Sequence, residues 1–253
     1  LKALEGRDKI EKGLVARVVL ALAMQLLDDA EAEGVLTGAI LVFLPGMGSI
    51  SSLHDSLVFG RGLRMEEAQA AEEMLWVLPL HSTLSPNDQQ KVFQRPPRGQ
   101  VKVVLSTNIC ETSITIDDVV CVVDTARVNE TGYDVATGTS YLREEWCSQA
   151  ARRQRAGRAG RVRPGECWSM VTRKKAAMLP PFPAPEIERV SIDQLYLRIE
   201  SSLANNSSDR CVRQMPAGFL QRWVMLQQST KLLTVSGRRP PKSSLRTTVD
   251  NCF

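Results

Sequence analysis

Hydrophobic residues are arranged along this chain in two patterns. In one they recur with the period of a helix, and in the other they form short continuous runs. From Ile10 to Leu26 apolar residues recur every four positions, which predicts a long amphipathic helix that ends in the acidic run at 28–33. Residues 39–44 (AILVFL) then form a continuous apolar run that a Pro-Gly pair stops. Such a run is typical of a strand that is buried on both faces of a parallel sheet.

The same succession of helix and strand continues to about residue 171. Helical patterns are predicted at 50–57, at 65–75 and after Ser85, where a proline follows the serine as it does at many helix starts. Further strands are predicted at 76–80, 101–105, 119–123 and 166–171. Strands that alternate with helices predict an α/β fold with a mostly parallel sheet flanked by helices.

Two regions depart from this succession. Residues 131–142 (TGYDVATGTSYL) predict an inserted β-hairpin with its turn near 136–138. A helix is predicted at 191–203, and an Asn-Ser linker follows it at 205–208. Beyond residue 210 the pattern is weakly periodic, so we expect a C-terminal appendage that is mostly helical or irregular.

The charge of the chain is concentrated in one block. The net charge of the 253 residues is +4, but residues 143–175 hold ten Lys/Arg against three Asp/Glu, and the remainder is net negative. A local basic block indicates contact with phosphate or nucleic acid, although a solvated helix face would give the same run. Because the first residue is Leu1 rather than Met, the chain is expected to be part of a longer protein.

The cysteines and the hydropathy of the sequence indicate the cellular compartment of the protein. The six cysteines, at 110, 121, 147, 167, 211 and 252, include no C-x-x-C pair, and several lie in apolar runs. They predict reduced core thiols rather than a zinc site, and an intracellular protein, cytoplasmic or nuclear. The longest apolar stretch, 13–27, contains Arg17 and is too short to span a bilayer, so no membrane partner is expected.

The segment QRAGRAGR at 154–161 carries the most chemical information. A helix with Ser148 as its N-cap is predicted to run through it. Gly157 and Gly160 would then lie inside a helix, at a cost of about 1 kcal/mol each relative to alanine. Glycine at such positions indicates that another backbone or a ligand comes close.

Three polar side chains of this predicted helix share one face. Gln154, Arg158 and Arg161 are spaced i, i+4 and i+7. Guanidinium groups can neutralise the charge that develops on a transferred γ-phosphate, and an amide can orient the attacking water. A surface helix rich in arginine would show the same letters, but few carboxylates lie three or four residues away to pair with these arginines. The pattern therefore favours a phosphoryl-transfer site.

Five segments resemble, in order, the motifs of the C-terminal RecA-like lobe of superfamily-two DEAH-box RNA helicases. QRAGRAGR resembles motif VI, and STNICETSITIDDVV at 106–120 resembles motif V. LVFLPG at 41–46 resembles motif IV, and LHSTLSPNDQQKVF at 80–93 resembles the segment that follows it. PEIERVSIDQLYLRI at 185–199 resembles the lead into the family's winged-helix domain. The glutamine that opens motif VI favours the DEAH class, and SITIDDVV is most like the RHA-type branch.

The resemblance implies roles for individual residues in nucleotide hydrolysis. Gln154 would hold the attacking water, and Arg158 and Arg161 would be arginine fingers. Contacts with the nucleotide are implied in motif V, at Ser113, Thr115 and, near the ribose, Asp117. Ordinary loop and cap hydrogen bonds would also explain these three side chains.

The resemblance also implies an RNA-binding surface. Thr107 and Asn108 would touch the RNA backbone, and the hairpin from Thr131 to Leu142 would be a wedge between strands. Thr107 and Asn108 follow the predicted strand at 101–105, and ligands gather at the carboxyl ends of parallel strands. Hydroxyl and amide side chains are common phosphate contacts. A structural excursion would explain the hairpin equally well.

Two catalytic segments of the family do not occur in this sequence. It contains neither a GxxxxGK[ST] P-loop nor a DExH segment, and in the family both lie on the first lobe. ATP or another NTP and Mg²⁺ are therefore expected to bind mainly to an N-terminal RecA-like lobe, and the chain alone is expected to be inactive. The implied organisation is a second RecA-like lobe at 1–183, a connecting helix toward a winged-helix-like region at 184–204, and an unassigned tail at 205–253.

Three functions remain open from the sequence. The first is a motor lobe for ATP-driven unwinding or remodelling of RNA, and the second is a non-catalytic RNA-binding scaffold that keeps the helicase fold. The third, an unrelated α/β enzyme, would need a catalytic set of its own. No nucleophile–His–acid arrangement or metal cluster is recognisable, and His81 at a strand end is interpreted as a loop or packing residue.

Overall fold

The computed structural model divides the chain into two compact units, Leu1–Pro185 and Glu186–Phe253. The structure describes residues 12–112, 114–134, 137, 139–161, 164–185 and 189. The helix predicted at 191–203, the linker and the tail lie outside the described residues. The domain boundaries predicted at 183 and 204 therefore stay predictions.

A parallel sheet forms the centre of the first unit. In the described residues it has five strands, in the order β2 (Leu75–Leu80), β3 (Val101–Ser106), β1 (Ala39–Phe43), β4 (Val119–Asp124) and β7 (Glu166–Ser169). Every residue of β1, β3 and β4 is buried, which explains the continuous apolar run of β1 and the mostly apolar sequences of β3 and β4. The two edge strands are less buried than these central strands. One of them, β2, contains Pro79, and the other, β7, is only four residues long. The predicted α/β fold with a mostly parallel sheet is confirmed.

Helices cover both faces of this sheet. The helices are α1 (Lys12–Glu33), α2 (Met47–Phe59), α3 (Met65–Met74), α4 (Pro86–Gln90) with a 3₁₀ turn (Lys91–Phe93), α5 (Ile109–Thr112), α6 (Gln149–Ala156) and α7 (Arg173–Met178). Apolar residues of α1, α2 and α3 pack with Ile40, Val42 and Val103 on one face. On the other face Leu41 and Phe43 pack with residues of the 3₁₀ turn and α5.

The inserted hairpin is longer than the sequence predicted. Strands β5 (Arg127–Asp134) and β6 (Thr139–Trp146) pair antiparallel, from Arg127 opposite Trp146 to Asp134 opposite Thr139. The prediction at 131–142 covered only the outer part, because the inner part of β6 is charged and mostly exposed and shows no apolar alternation. Residues 135, 136 and 138 of the predicted turn lie outside the described residues.

The helix predicted to run through Arg161 is wrong in its length. Ser148 caps α6 as expected, its side chain accepting a hydrogen bond from the Ala151 N–H, but the helix ends at Ala156 with Gly157 as its C-cap. Two glycines three residues apart favour this end, because glycine is the residue with the lowest helix propensity after proline. Gly157 and Gly160 therefore lie beyond the helix, and no atom lies within 4 Å of a Cβ built on Gly160.

Close backbone packing occurs instead at Gly165. A Cβ built there would overlap the carbonyl oxygens of Ala159 and Val120, which are backbone atoms that cannot rotate away. We expect Gly165→Ala to lower the free energy of unfolding by about 1–3 kcal/mol, as overpacking does. Urea denaturation of the chain measures this change, and Gly160→Ala is the matched control, with an expected change below about 0.5 kcal/mol. Equal urea midpoints for the two variants would contradict this role of Gly165.

Candidate nucleotide and RNA site

Gln154, Arg158 and Arg161 lie around one shallow surface depression of about 360 Å³. Glu111, Arg153 and Gly157 complete its lining. Although α6 ends before Arg158, the turn that follows keeps Arg158 and Arg161 on the same side as Gln154. The structure therefore brings together the three residues to which the sequence assigned hydrolysis.

Both arginines are anchored on the segment 106–120, far from them in sequence. The Arg158 guanidinium donates hydrogen bonds to the carbonyls of Glu111 and Ile114, the latter at 3.4 Å. Arg161 Nη1 donates to Thr115 Oγ1 at 2.8 Å. The segments that resemble motifs V and VI thus form one surface, and Thr115 contacts Arg161 on it, while the nucleotide contact of Thr115 stays a prediction.

Electrostatics in the depression favour an anion. Burial lowers the pKa of the Arg158 guanidinium, and the neighbouring Arg161 charge lowers it further. Arg158 is only 9% exposed, whereas Arg161 is exposed. Two cations that destabilise each other beside a depression would both be stabilised by a bound phosphate.

Asp117 and Ser113 do not join this depression. Asp117 is exposed and lines a separate cavity of about 730 Å³, between residues 95–99 and the loop that precedes β4. Its carboxylate has no hydrogen bond or ion pair within the described part of the chain. Ser113 lies outside the described residues, so its predicted contact stays a prediction.

Thr107 and Asn108 lie at the carboxyl ends of the parallel strands, whereas Thr115 lies at the amino ends. They follow the carboxyl end of β3, whereas Thr115 and Asp117 precede the amino end of β4, and both strands pair with β1 in parallel. The Thr107 side chain is 7% exposed, and Asn108 is exposed. Of the two predicted RNA contacts, Asn108 therefore presents the larger surface to a ligand.

Arg155 is the residue of QRAGRAGR that the sequence reading missed. Its side chain is fully buried and donates from Nε to Glu111 Oε1 at 2.7 Å and from Nη1 to Asp124 Oδ1 at 2.9 Å. Burial acts to lower the pKa of Arg155, but Asp124 and Glu111 outweigh it, and the net pKa is raised. The one signal in the sequence was Asp124, an acidic residue that ends an apolar strand.

The same network reaches the base of the hairpin. Arg155 Nη1 also donates to the carbonyl of Arg127, the first residue of β5, at 3.1 Å. The Arg127 guanidinium stacks on the Trp146 ring at 3.5 Å from its centroid. Toward the outer part of the hairpin, Tyr141 and Leu142 expose 41% and 65% of their surface. The base of the hairpin is thus held by the buried network, and apolar side chains are exposed beyond it, while its role as a wedge stays a prediction.

Cysteines 110, 121 and 147 are free and buried. Burial raises the pKa of each thiol, to about 11, 12 and 11 respectively. They are therefore protonated core residues at neutral pH. Within the described ranges there is no group of three or more His, Cys, Asp and Glu residues that could hold a metal ion. No helix described by the structure is long and apolar enough to cross a membrane.

Comparison with known proteins identifies the class. Residues 39–163 match the family model of the helicase conserved C-terminal domain. The human ATP-dependent DNA/RNA helicase DHX36 is 39% identical over 193 residues, which are 76% of this chain and 18% of that protein. The chloroplastic DExH-box ATP-dependent RNA helicase DExH4 of Arabidopsis thaliana is 45% identical over 175 residues, 69% of this chain and 12% of that protein.

A solved structure agrees with these sequence matches. The crystal structure of the Escherichia coli DExH-box NTPase HrpB superimposes with a TM-score of 0.62 at 30% identity, covering 90% of this chain and 25% of that one. The described fold, together with the contact between segments 106–120 and 154–161, thus defines a helicase C-terminal RecA-like domain. More specifically, the chain belongs to the superfamily-two DEAH-box/RHA-type ATP-dependent RNA helicases, as its motifs predicted. It spans less than a fifth of the length of the curated relatives named above.

Proposed function

We propose that this chain is the second motor lobe of an ATP-dependent RNA helicase, in which it completes a hydrolytic site built mainly by a first RecA-like lobe. The observation that carries the proposal is the shared depression of Gln154, Arg158 and Arg161, with both arginines anchored on motif V. In this proposal the two guanidinium groups neutralise charge on the γ-phosphate, and the amide orients the attacking water.

Mg²⁺ belongs to the first lobe in this proposal. Within the part of the chain that the structure describes, no group of three or more His, Cys, Asp and Glu residues could hold a metal ion. When bound, Mg²⁺ would neutralise charge on the β- and γ-phosphates of the nucleotide. This chain supplies the remaining positive charge through Arg158 and Arg161, and Asp117 supplies the ribose contact.

RNA would bind at the carboxyl ends of the parallel strands. Asn108 would contact the backbone there with Thr107, and the hairpin from Thr131 to Leu142 would separate paired strands. Backbone contacts carry no sequence information, so base identity would matter little. Closure of the two lobes on ATP, and reopening after hydrolysis, would move the strand past the hairpin. An intracellular location, cytoplasmic or nuclear, is part of this proposal.

The decisive experiment compares this chain alone with a two-lobed protein, in which the chain is joined to an N-terminal lobe that carries a P-loop. ATP hydrolysis is measured with and without single-stranded RNA. We expect RNA-stimulated turnover on the order of 1–100 per second in the two-lobed protein and negligible turnover in the isolated chain. Turnover in the isolated chain would contradict the division of the site between two lobes.

The second candidate function is a non-catalytic RNA-binding scaffold. In this alternative the basic block at 143–175 contacts RNA, and the protein keeps the helicase fold without hydrolysing ATP. RNA binding without any turnover in the two-lobed protein would favour the scaffold. An intact P-loop lysine and acidic Mg²⁺ site in the first lobe would favour the motor.

A further inference from the structure

Lys102 is a fully buried lysine near the start of a mostly apolar strand. It lies in β3, where every residue is buried, and its relative exposure is 0%. A buried ammonium group is costly unless each of its protons meets an acceptor. A lysine at such a position therefore calls for an explanation beyond the packing of the sheet.

Three acceptors surround the Lys102 ammonium group. Nζ donates to the carbonyl of Val92 at 2.7 Å and to the carbonyl of Gln94 at 2.9 Å. It also forms an ion pair with Asp118 Oδ2 at 2.8 Å. The three protons of the ammonium group are thus all used. Lys102 joins the turn after α4 to the loop that precedes β4.

Both segments contribute to the lining of the 730 Å³ cavity, together with the end of α1 and residues 35–37. Residues 95–99 of the lining follow directly after Gln94, and Asp117 and Asp118 belong to the loop that precedes β4. The Asp118 carbonyl also accepts a hydrogen bond from the Ala39 N–H at 2.7 Å. Asp118 is therefore fixed through both its side chain and its backbone, whereas the adjacent Asp117 carboxylate is exposed and unpaired within the described residues.

We infer that Lys102 is a positioning residue for the nucleotide. It holds Asp118 so that the neighbouring Asp117 carboxylate points into the cavity and accepts hydrogen bonds from the ribose hydroxyls. The inference rests on the proposed function, in which Asp117 contacts the ribose, and it adds the residue that fixes this contact. Two adjacent aspartates then have separate tasks, with Asp118 bound to the sheet and Asp117 left to the ligand.

The test measures how strongly the two-lobed protein prefers ATP over 2′,3′-dideoxy-ATP. The readout is the ratio of kcat/KM for the two nucleotides in the presence of single-stranded RNA. In Lys102→Met, which keeps an unbranched chain of similar length, we expect this ratio to fall about ten-fold, toward its value in Asp117→Ala. The kcat at saturating ATP should stay within about two-fold of wild type, because the arginines are not displaced.

Lys91→Met is the matched control. It also removes a lysine that pairs with an aspartate at 2.8 Å, but this pair is solvent-exposed and lies outside the cavity. We expect Lys91→Met to keep the preference for the ribose. Asp118→Asn is the second variant, since it removes the charge of the ion pair from its other side and keeps the size of a side chain that is 32% exposed.

The outcomes separate this inference from the proposed function. A reduced preference in Lys102→Met and Asp118→Asn, retained in Lys91→Met, supports the inference. An unchanged preference in folded Lys102→Met, or in Asp118→Asn if the first variant does not fold, overturns it while the motor function stands. Loss of kcat with an unchanged preference means a structural role and also overturns it. An Asp117→Ala variant that keeps the preference removes the ribose contact on which the inference rests and overturns it, while the motor function stands. A wild type without turnover overturns the motor function and, with it, the inference.

Discussion

Replacing Arg161 or Arg158 by alanine is expected to reduce RNA-stimulated ATP hydrolysis by the two-lobed protein about a thousand-fold or more, the loss typical of an arginine finger. Both side chains line the depression beside Gln154, and the charge of Arg161 already lowers the pKa of Arg158. An entering γ-phosphate would relieve this repulsion. The stabilisation would be greatest as negative charge develops during transfer.

Arg161 gives the cleaner measurement of the two. It is exposed and donates only to Thr115 within the described residues, whereas Arg158 is nearly buried and holds the carbonyls of motif V. Arg173→Ala is the matched control, with turnover expected to stay near wild type, because Arg173 is exposed and lies outside the depression. Turnover that Arg161→Ala and Arg158→Ala leave unchanged would assign both arginines to RNA binding or to structure.

The largest effect on stability is expected for Arg155→Ala. We expect the free energy of unfolding of the chain to fall by about 3–5 kcal/mol, the cost of removing one partner from a buried ion pair. Asp124 is 1% exposed and would lose the nearer of two cationic partners, Arg155 at 2.9 Å, and keep only Arg152 at 3.8 Å. Glu111 and the Arg127 carbonyl would lose their donors as well.

Denaturation by urea, followed by circular dichroism, measures this effect. Arg153→Ala on the same helix is the control, with an expected change below about 0.5 kcal/mol, because Arg153 is exposed. A midpoint for Arg155→Ala that matches the control would show that the buried network contributes nothing to stability. Arg155→Met tests packing separately, since it fills part of the space without the charge.

The sheet could be predicted from the sequence because burial on both faces leaves a distinct pattern. AILVF in β1 and VVCVVD in β4 are continuous apolar runs, and their predicted positions agree with the structure within one residue. The hairpin was recognised only in part, since a strand such as β6, which is mostly exposed, has no apolar alternation to read.

The site was harder to predict because residues of the same type lie in different environments. Arg155 and Arg158 stand three residues apart in QRAGRAGR, yet Arg155 is fully buried and Arg158 lines the depression. Arg155 lies within α6 and donates to the buried Asp124, a partner 31 residues away that the local pattern does not reveal. Lys102 could have been suspected as a charged residue in an apolar strand, but its three acceptors come from segments 8 to 16 residues away.

The edges of the parallel sheet bear on the behaviour of this chain at high concentration. An exposed strand edge is a template on which a second molecule can add its own strand, and this is a common route to aggregation. In the described sheet one edge strand, β2, carries Pro79, which has no backbone N–H to offer, and the other, β7, is four residues long. Neither edge presents a long, regular row of donors and acceptors. The same two features that make these strands poor sheet formers therefore protect the chain against self-association through its edges.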